Sequence, residues 1–161
     1  MALLRYAVVT NDFRLKQFVR ASYEYSRNFG LARIGWFPTY AGHDSPPKDV
    51  CEACRTADMI ALAIELSREG IGDYWDDVDG YIRNTLIEQQ YSDPELTEQI
   101  LRGTTFSSKM GLGSFVCGGL TSLDNYLVAC CMGNASQGLY YAWDAIVQHE
   151  AGSAQVNLLL N

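Results

Sequence analysis

A chain of 161 residues, 48% apolar and 19% charged, is long enough to bury one core and too apolar to remain disordered. Its formal charge of -7 and pI near 4.7 exclude nucleic acid, which needs a Lys/Arg-rich face, and argue equally against an anionic membrane surface. Five cysteines, an odd number with one adjacent pair, suit reduced or metal-held thiols better than a disulfide framework.

The apolar run within Met1–Thr10 has no basic region before it and no cleavage site, so it does not read as a signal peptide. No segment reaches the roughly 20 apolar residues that span a bilayer. The expected compartment of the chain as it stands is therefore the cytoplasm. Thr10, Asn11 and Asp12 offer N-caps to a helix whose apolar face carries Phe13, Leu15, Phe18, Val19, Ala21, Tyr23 and Tyr25. Gly30 and Gly35-Trp36-Phe37-Pro38 end it, and Gly42–Pro47 reads as a loop because two prolines forbid a helix interior. A second helix is expected from Val50 onwards, with Met59, Ile60, Leu62, Ala63 and Leu66 at helical spacing and Gly70 and Gly72 as its stop.

The third helix is predicted from Asp73 to about Gln90, opening on Asp73, Asp76, Asp77 and Asp79 at the positive end of its dipole. Its inward stripe is Tyr74, Val78, Tyr81, Ile82, Thr85 and Leu86. Ser92-Asp93-Pro94-Glu95 starts a short helix with proline in its first turn. Residues 103–123, rich in Gly, Ser and Thr, predict a long loop with a short strand, and long loops are usually functional. The last helix is expected from Cys131 or Gly133 to Gln148, with Leu139, Ala142, Trp143, Ile146 and Val147 inward. Residues 155–160 then read as one terminal strand without a partner.

Glu52-x-Cys54 and the adjacent Cys130-Cys131 carry the chemistry. Zinc takes thiolate sulfur and carboxylate oxygen in a tetrahedral set. Residues this close in sequence do not share a helix face, but at a helix start they can converge, and there the dipole favours thiolate. Three other readings stand beside this one. Buried cysteines often only pack, Cys51-x-x-Cys54 with Cys130-Cys131 would make an all-thiolate site, and Cys51-x-x-Cys54 alone would be a redox pair, for which no preceding strand is expected.

At these residues the sequence resembles the zinc-dependent β-L-arabinofuranosidases, retaining glycoside hydrolases with an (α/α)6 barrel, and their six-hairpin relatives. Cys51-Glu52-Ala53-Cys54 matches the family's Glu-x-Cys, and Cys130-Cys131-Met132-Gly133-Asn134 its Cys-Cys followed by Asn. Tyr74, Asp76, Asp79 and Asn84 follow the register of its intervening helix. The resemblance implies zinc on Glu52, Cys54, Cys130 and Cys131, with Cys130 as the sulfur nucleophile at the anomeric carbon. It also implies Asp79 as a sugar-binding carboxylate. The family's acid/base glutamate would fall near Trp36, yet no acidic residue lies between Glu24 and Asp44; His43 and Asp44 are the nearby substitutes.

The expected fold is all-α: a partial (α/α)6 barrel of about four to five helices with one terminal strand. Residues 1–152 would be an incomplete six-hairpin helical domain and 153–161 the first strand of a missing β-sandwich. The expected partners are carbohydrate and the remainder of the barrel, with Trp36, Tyr40 and His43 as loop residues able to meet a sugar. Trp143, Tyr81 and Tyr140 are expected to pack between helices. Two functions follow: glycoside hydrolysis by zinc-bound Cys130, or a non-catalytic zinc-stabilised helical fragment of such an enzyme.

Overall fold

The computed structural model describes residues 1–39, 50–102, 111–119, 126–127, 129–150 and 152–159. The chain opens with two packed helices, α1 (Ala2–Val9) and α2 (Phe13–Arg27). Asn11 turns the connection at φ 49°, and the Asp12 carboxylate accepts from the Leu15 amide at 3.1 Å, capping α2 as the sequence predicts. The apolar run at the start is thus a helix in its own right, anchored by buried Leu4 and Ala7.

Val50–Glu52 forms a strand, β1, that leads directly into α3 (Ala53–Arg68). The expected helix start at Val50 is therefore corrected by three residues. The cause is a partner distant in sequence: β1 pairs antiparallel with β2 (Val116–Gly119), Glu52 opposite Cys117, and β2 pairs with β3 (Tyr126–Leu127). β2 falls in the Gly-rich segment where a short strand was expected. The predicted third helix is present but irregular: α4 (Trp75–Tyr81) runs on as a π-helical turn over Ile82–Leu86 and a 3-10 turn over Ile87–Gln89. Its inward stripe is as read, with Val78, Tyr81, Ile82, Thr85 and Leu86 buried. Gly35, at φ 78°, lies against Tyr81 so closely that a Cβ would come within 2.7 Å of the tyrosine Cα. This approach lets the Thr56 hydroxyl of α3 donate to the Gly35 carbonyl at 3.3 Å.

α5 (Pro94–Leu101) is capped by Asp93, which accepts from Glu95 and Leu96. α6 (Ala129–Ala145) ends sooner than expected, and β4 (Val147–Glu150) pairs with β5 (Ser153–Val156) as an antiparallel hairpin. The terminal strand thus has a partner. Asn157 explains the early stop: its side chain donates to the last helical carbonyl of Ala145 at 2.9 Å, and its amide donates to Ile146 at 2.8 Å. Among the described residues the chain is mostly helical with two small sheets of three and two strands, so the expectation of an all-α fold with one terminal strand is corrected.

The core lies around α3, whose Ala53, Thr56, Ala57, Ile60, Ala61, Ala63, Ile64 and Leu66 are all buried. Trp143 and Tyr140 of α6 are 67% and 57% exposed, against the expectation that they pack inward. Ala142 and Ala145 are buried in their place, because α6 lies too close to α3 for rings. Exposed Tyr6, Val9, Phe13 and Phe18 give α1 and α2 an apolar outer surface as well.

Candidate metal centre and adjoining cleft

Small side chains bring two helices together and so build the site. Ala53, Ala57 and Ala61 on α3, and Cys131, Ala135 and Ala142 on α6, are buried at helical spacing. Gly138 of α6 faces Ala57 so tightly that a Cβ there would sit 2.8 Å from the alanine Cβ. At the far ends, the Arg68 guanidinium donates to the Asp144 carboxylate at 2.8 Å and to its carbonyl at 3.0 Å. The helices are therefore parallel, and both N-termini meet at one end.

That end holds the thiols. Cys54 is the second residue of α3, and Cys130 and Cys131 are the second and third of α6. The Cys54 and Cys131 sulfurs are 3.4 Å apart, and all three sulfurs lie within 4.8 Å of one another. None is in a disulfide. Cys131 is buried, Cys54 half-buried and Cys130 exposed. Burial, and then the neighbouring thiols, push the Cys54 thiol well above its usual range; burial does the same to Cys131. Two parallel helix dipoles with positive ends at the sulfurs act the other way. Three soft ligands at this separation could hold a metal ion.

The remaining expected ligands divide. Glu52 stands in β1, and among the described residues its carboxylate lies outside the group of three sulfurs. Strand alternation sends Cys51 to the other face. Its thiol is buried against the Thr56 hydroxyl at 3.7 Å, and Gln89 holds its carbonyl at 2.9 Å. The alternative four-thiol set is thus not assembled among the described residues, and Cys51 does not pair with Cys54.

Beside Cys54 opens a cleft of about 470 Å³, lined by Tyr25, Phe29, Phe37, Glu52, Arg55 and Asp58 among others. The Arg55 guanidinium donates to the Thr39 carbonyl. Asn134 of α6 donates from one amide nitrogen to the Asp58 carboxylate at 3.1 Å and to the Cys54 carbonyl at 3.4 Å. Neither Asp58 nor a role for Asn134 emerges from the sequence reading. The signal was present as spacing: Asp58 follows Cys54 by four residues and Asn134 follows Cys130 by four, one helical turn each.

Of the expected sugar-binding residues, Trp36 and Asp79 do not line this cleft. Trp36 pairs its backbone with Leu31, and its indole nitrogen is buried with no partner among the described residues; Phe37 lines the cleft instead. Asp79 lies on α4, ion-paired with Arg83 at 2.8 Å. His43, Tyr40 and Asp44 lie outside the described residues.

A second polar constellation joins α2 to α4. The Asp77 carboxylate accepts from the Tyr23 hydroxyl at 2.8 Å and from Arg27 at 3.1 Å. The Glu24 carboxylate accepts from the Tyr74 hydroxyl at 2.7 Å and from Arg27 at 2.9 Å. The Tyr74 hydroxyl, with help from Arg27, holds the Glu24 carboxyl below its ordinary value, and burial pushes the Tyr23 hydroxyl far up. Compared with known proteins, the chain matches no family model, no curated protein and no solved structure.

Proposed function

We propose that this chain is a zinc-binding, glycoside hydrolase-like protein in which Cys130 is the nucleophile of a retaining reaction on a β-L-arabinofuranoside or related sugar. The observation that carries the reading is the meeting of Cys54, Cys130 and Cys131 at the joined N-termini of two parallel helices. Zinc suits a thiolate set, and when bound it keeps the sulfurs deprotonated at neutral pH. Glu52, two residues from Cys54 and lining the same cleft, is the fourth ligand in this reading.

Cys130 is the exposed residue of the three and Cys54 the one that lines the cleft, and in this reading Cys130 is the sulfur that attacks. Its thiolate would attack the anomeric carbon as the bond to the leaving oxygen breaks. Water would then hydrolyse the thioglycoside and return the thiolate. This replaces the second carboxylate of ordinary retaining enzymes. The acid/base partner in the resembled family falls near Trp36, where no carboxylate stands, so an activated leaving group is the appropriate probe.

One observation favours the second reading, a non-catalytic zinc staple. Cys131 is buried and Cys54 half-buried, and their sulfurs meet between α3 and α6, where a structural metal would join the two helices. Zinc analysis of the purified chain, followed by mass spectrometry after mixing with a nitrophenyl pentofuranoside, separates the two. Stoichiometric zinc with a pentosyl adduct on Cys130 supports the enzyme. Zinc without nitrophenol release or adduct leaves the staple, and a chain that holds no zinc sinks both.

A further inference from the structure

We propose that Asp58, oriented by Asn134, is the carboxylate that binds sugar hydroxyls in the cleft beside Cys54; this rests on the carbohydrate reading of the site. The two helices form a ladder. Its first rung is the thiol group, and its second, about one helical pitch or 5.4 Å further along, is the Asp58–Asn134 hydrogen bond.

Asp58 differs from the carboxylates held in ion pairs. Asp77, Glu24 and Asp79 each have an arginine, and Asp144 has Arg68. Asp58 faces the cleft, is exposed, and among the described residues accepts from a neutral amide alone. The amide holds one oxygen and the rotamer, and leaves the second oxygen to accept from ligand hydroxyl groups. A fixed carboxylate suits a vicinal diol, whose two O–H groups form charge-assisted hydrogen bonds. Tyr25, Phe29 and Phe37 supply apolar faces for the C–H side of a sugar ring. The position that the resemblance suggests for this role, Asp79, is already neutralised by Arg83 and does not line the cleft.

The test uses the zinc-loaded chain with methyl arabinofuranoside as ligand and a nitrophenyl pentofuranoside as substrate. Asp58→Ala and Asp58→Asn are compared with Asp79→Asn, reading the Kd by titration calorimetry, KM and kcat separately, and zinc content. The expected result is a Kd and KM raised roughly 10- to 100-fold in Asp58→Ala, a smaller rise in Asp58→Asn, zinc unchanged, and Asp79→Asn like wild type. Asp58→Ala binding sugar as wild type does would overturn the assignment while leaving the site reading intact. Loss of zinc together with sugar would overturn it too, since Asp58 would then act through the metal site. A wild-type chain that binds no sugar fails at the carbohydrate reading itself, and the assignment falls with it.

Discussion

The α2–α4 seam and the α3–α6 seam both place polar groups between helices, and they differ in what those groups have to bond with. Between α2 and α4, each carboxylate has an arginine and a tyrosine hydroxyl within 3.1 Å. One guanidinium, that of Arg27, bridges both carboxylates. Between α3 and α6, the Cys54 and Cys131 thiols lie against one another, in a place where burial resists their ionisation. A folded chain gains little from gathering three thiols at one point, whereas a cation there would satisfy all of them. The first seam bonds its charged groups to one another; the second could hold a metal ion.

The largest expected effect separates the two seams outright. Cys54→Ser and Cys131→Ser should each weaken zinc binding by more than the roughly 10- to 100-fold that loss of a supporting residue costs. Cys51→Ser, altered on the opposite face of β1, should keep its zinc, as read by metal analysis after dialysis. Loss of zinc in Cys51→Ser would restore the four-thiol set and remove Glu52 from the site.

Next is Gly138→Leu. A side chain pressed into Ala57 must part α3 from α6, at about 1–3 kcal/mol. Thermal unfolding should show the loss, and zinc affinity should fall with it because the two halves of the thiol group move apart. Tyr23→Phe probes the other seam. It leaves Asp77 short of a donor at a cost of about 1–3 kcal/mol, with zinc affinity unchanged.

The smallest effect is one of pH. The Glu24 carboxyl lies lower in the folded chain than its ordinary value, chiefly because of Tyr74. Its stabilisation is therefore fully present above the ordinary glutamate range and is lost as pH falls through the folded value. Glu24→Gln should flatten that part of the acid unfolding curve, and a variant curve parallel to wild type would count against the Tyr74 bond. Zinc binding should also weaken on acidification, through competition for the thiolates, and Glu24→Gln should not alter that slope.

Much of the local architecture was legible from residue pattern. Asp12 and Asp93 cap the helices they were expected to cap, and the stripe Val78, Tyr81, Ile82, Thr85 and Leu86 is buried as spacing requires. The pairings made across long stretches of chain were not legible. Val50–Glu52 continues a helical pattern in sequence, but a partner strand more than sixty residues away makes it β1. Trp143 and Tyr140 look like core residues on hydrophobicity, but the closeness of α3 and α6 at Gly138 leaves room there only for small side chains.

The sequence by itself determined that Cys54, Cys130 and Cys131 stand at helix starts, because residue type, adjacency and the flanking apolar periodicity are local properties. Only the tertiary structure decided which groups meet them. Strand alternation in β1 removed Cys51, and the parallel packing of α3 on α6 brought Asp58 and Asn134 one turn from the thiols. Each of these depends on the distance between chain segments far apart in sequence, and the packing of helices and strands sets that distance.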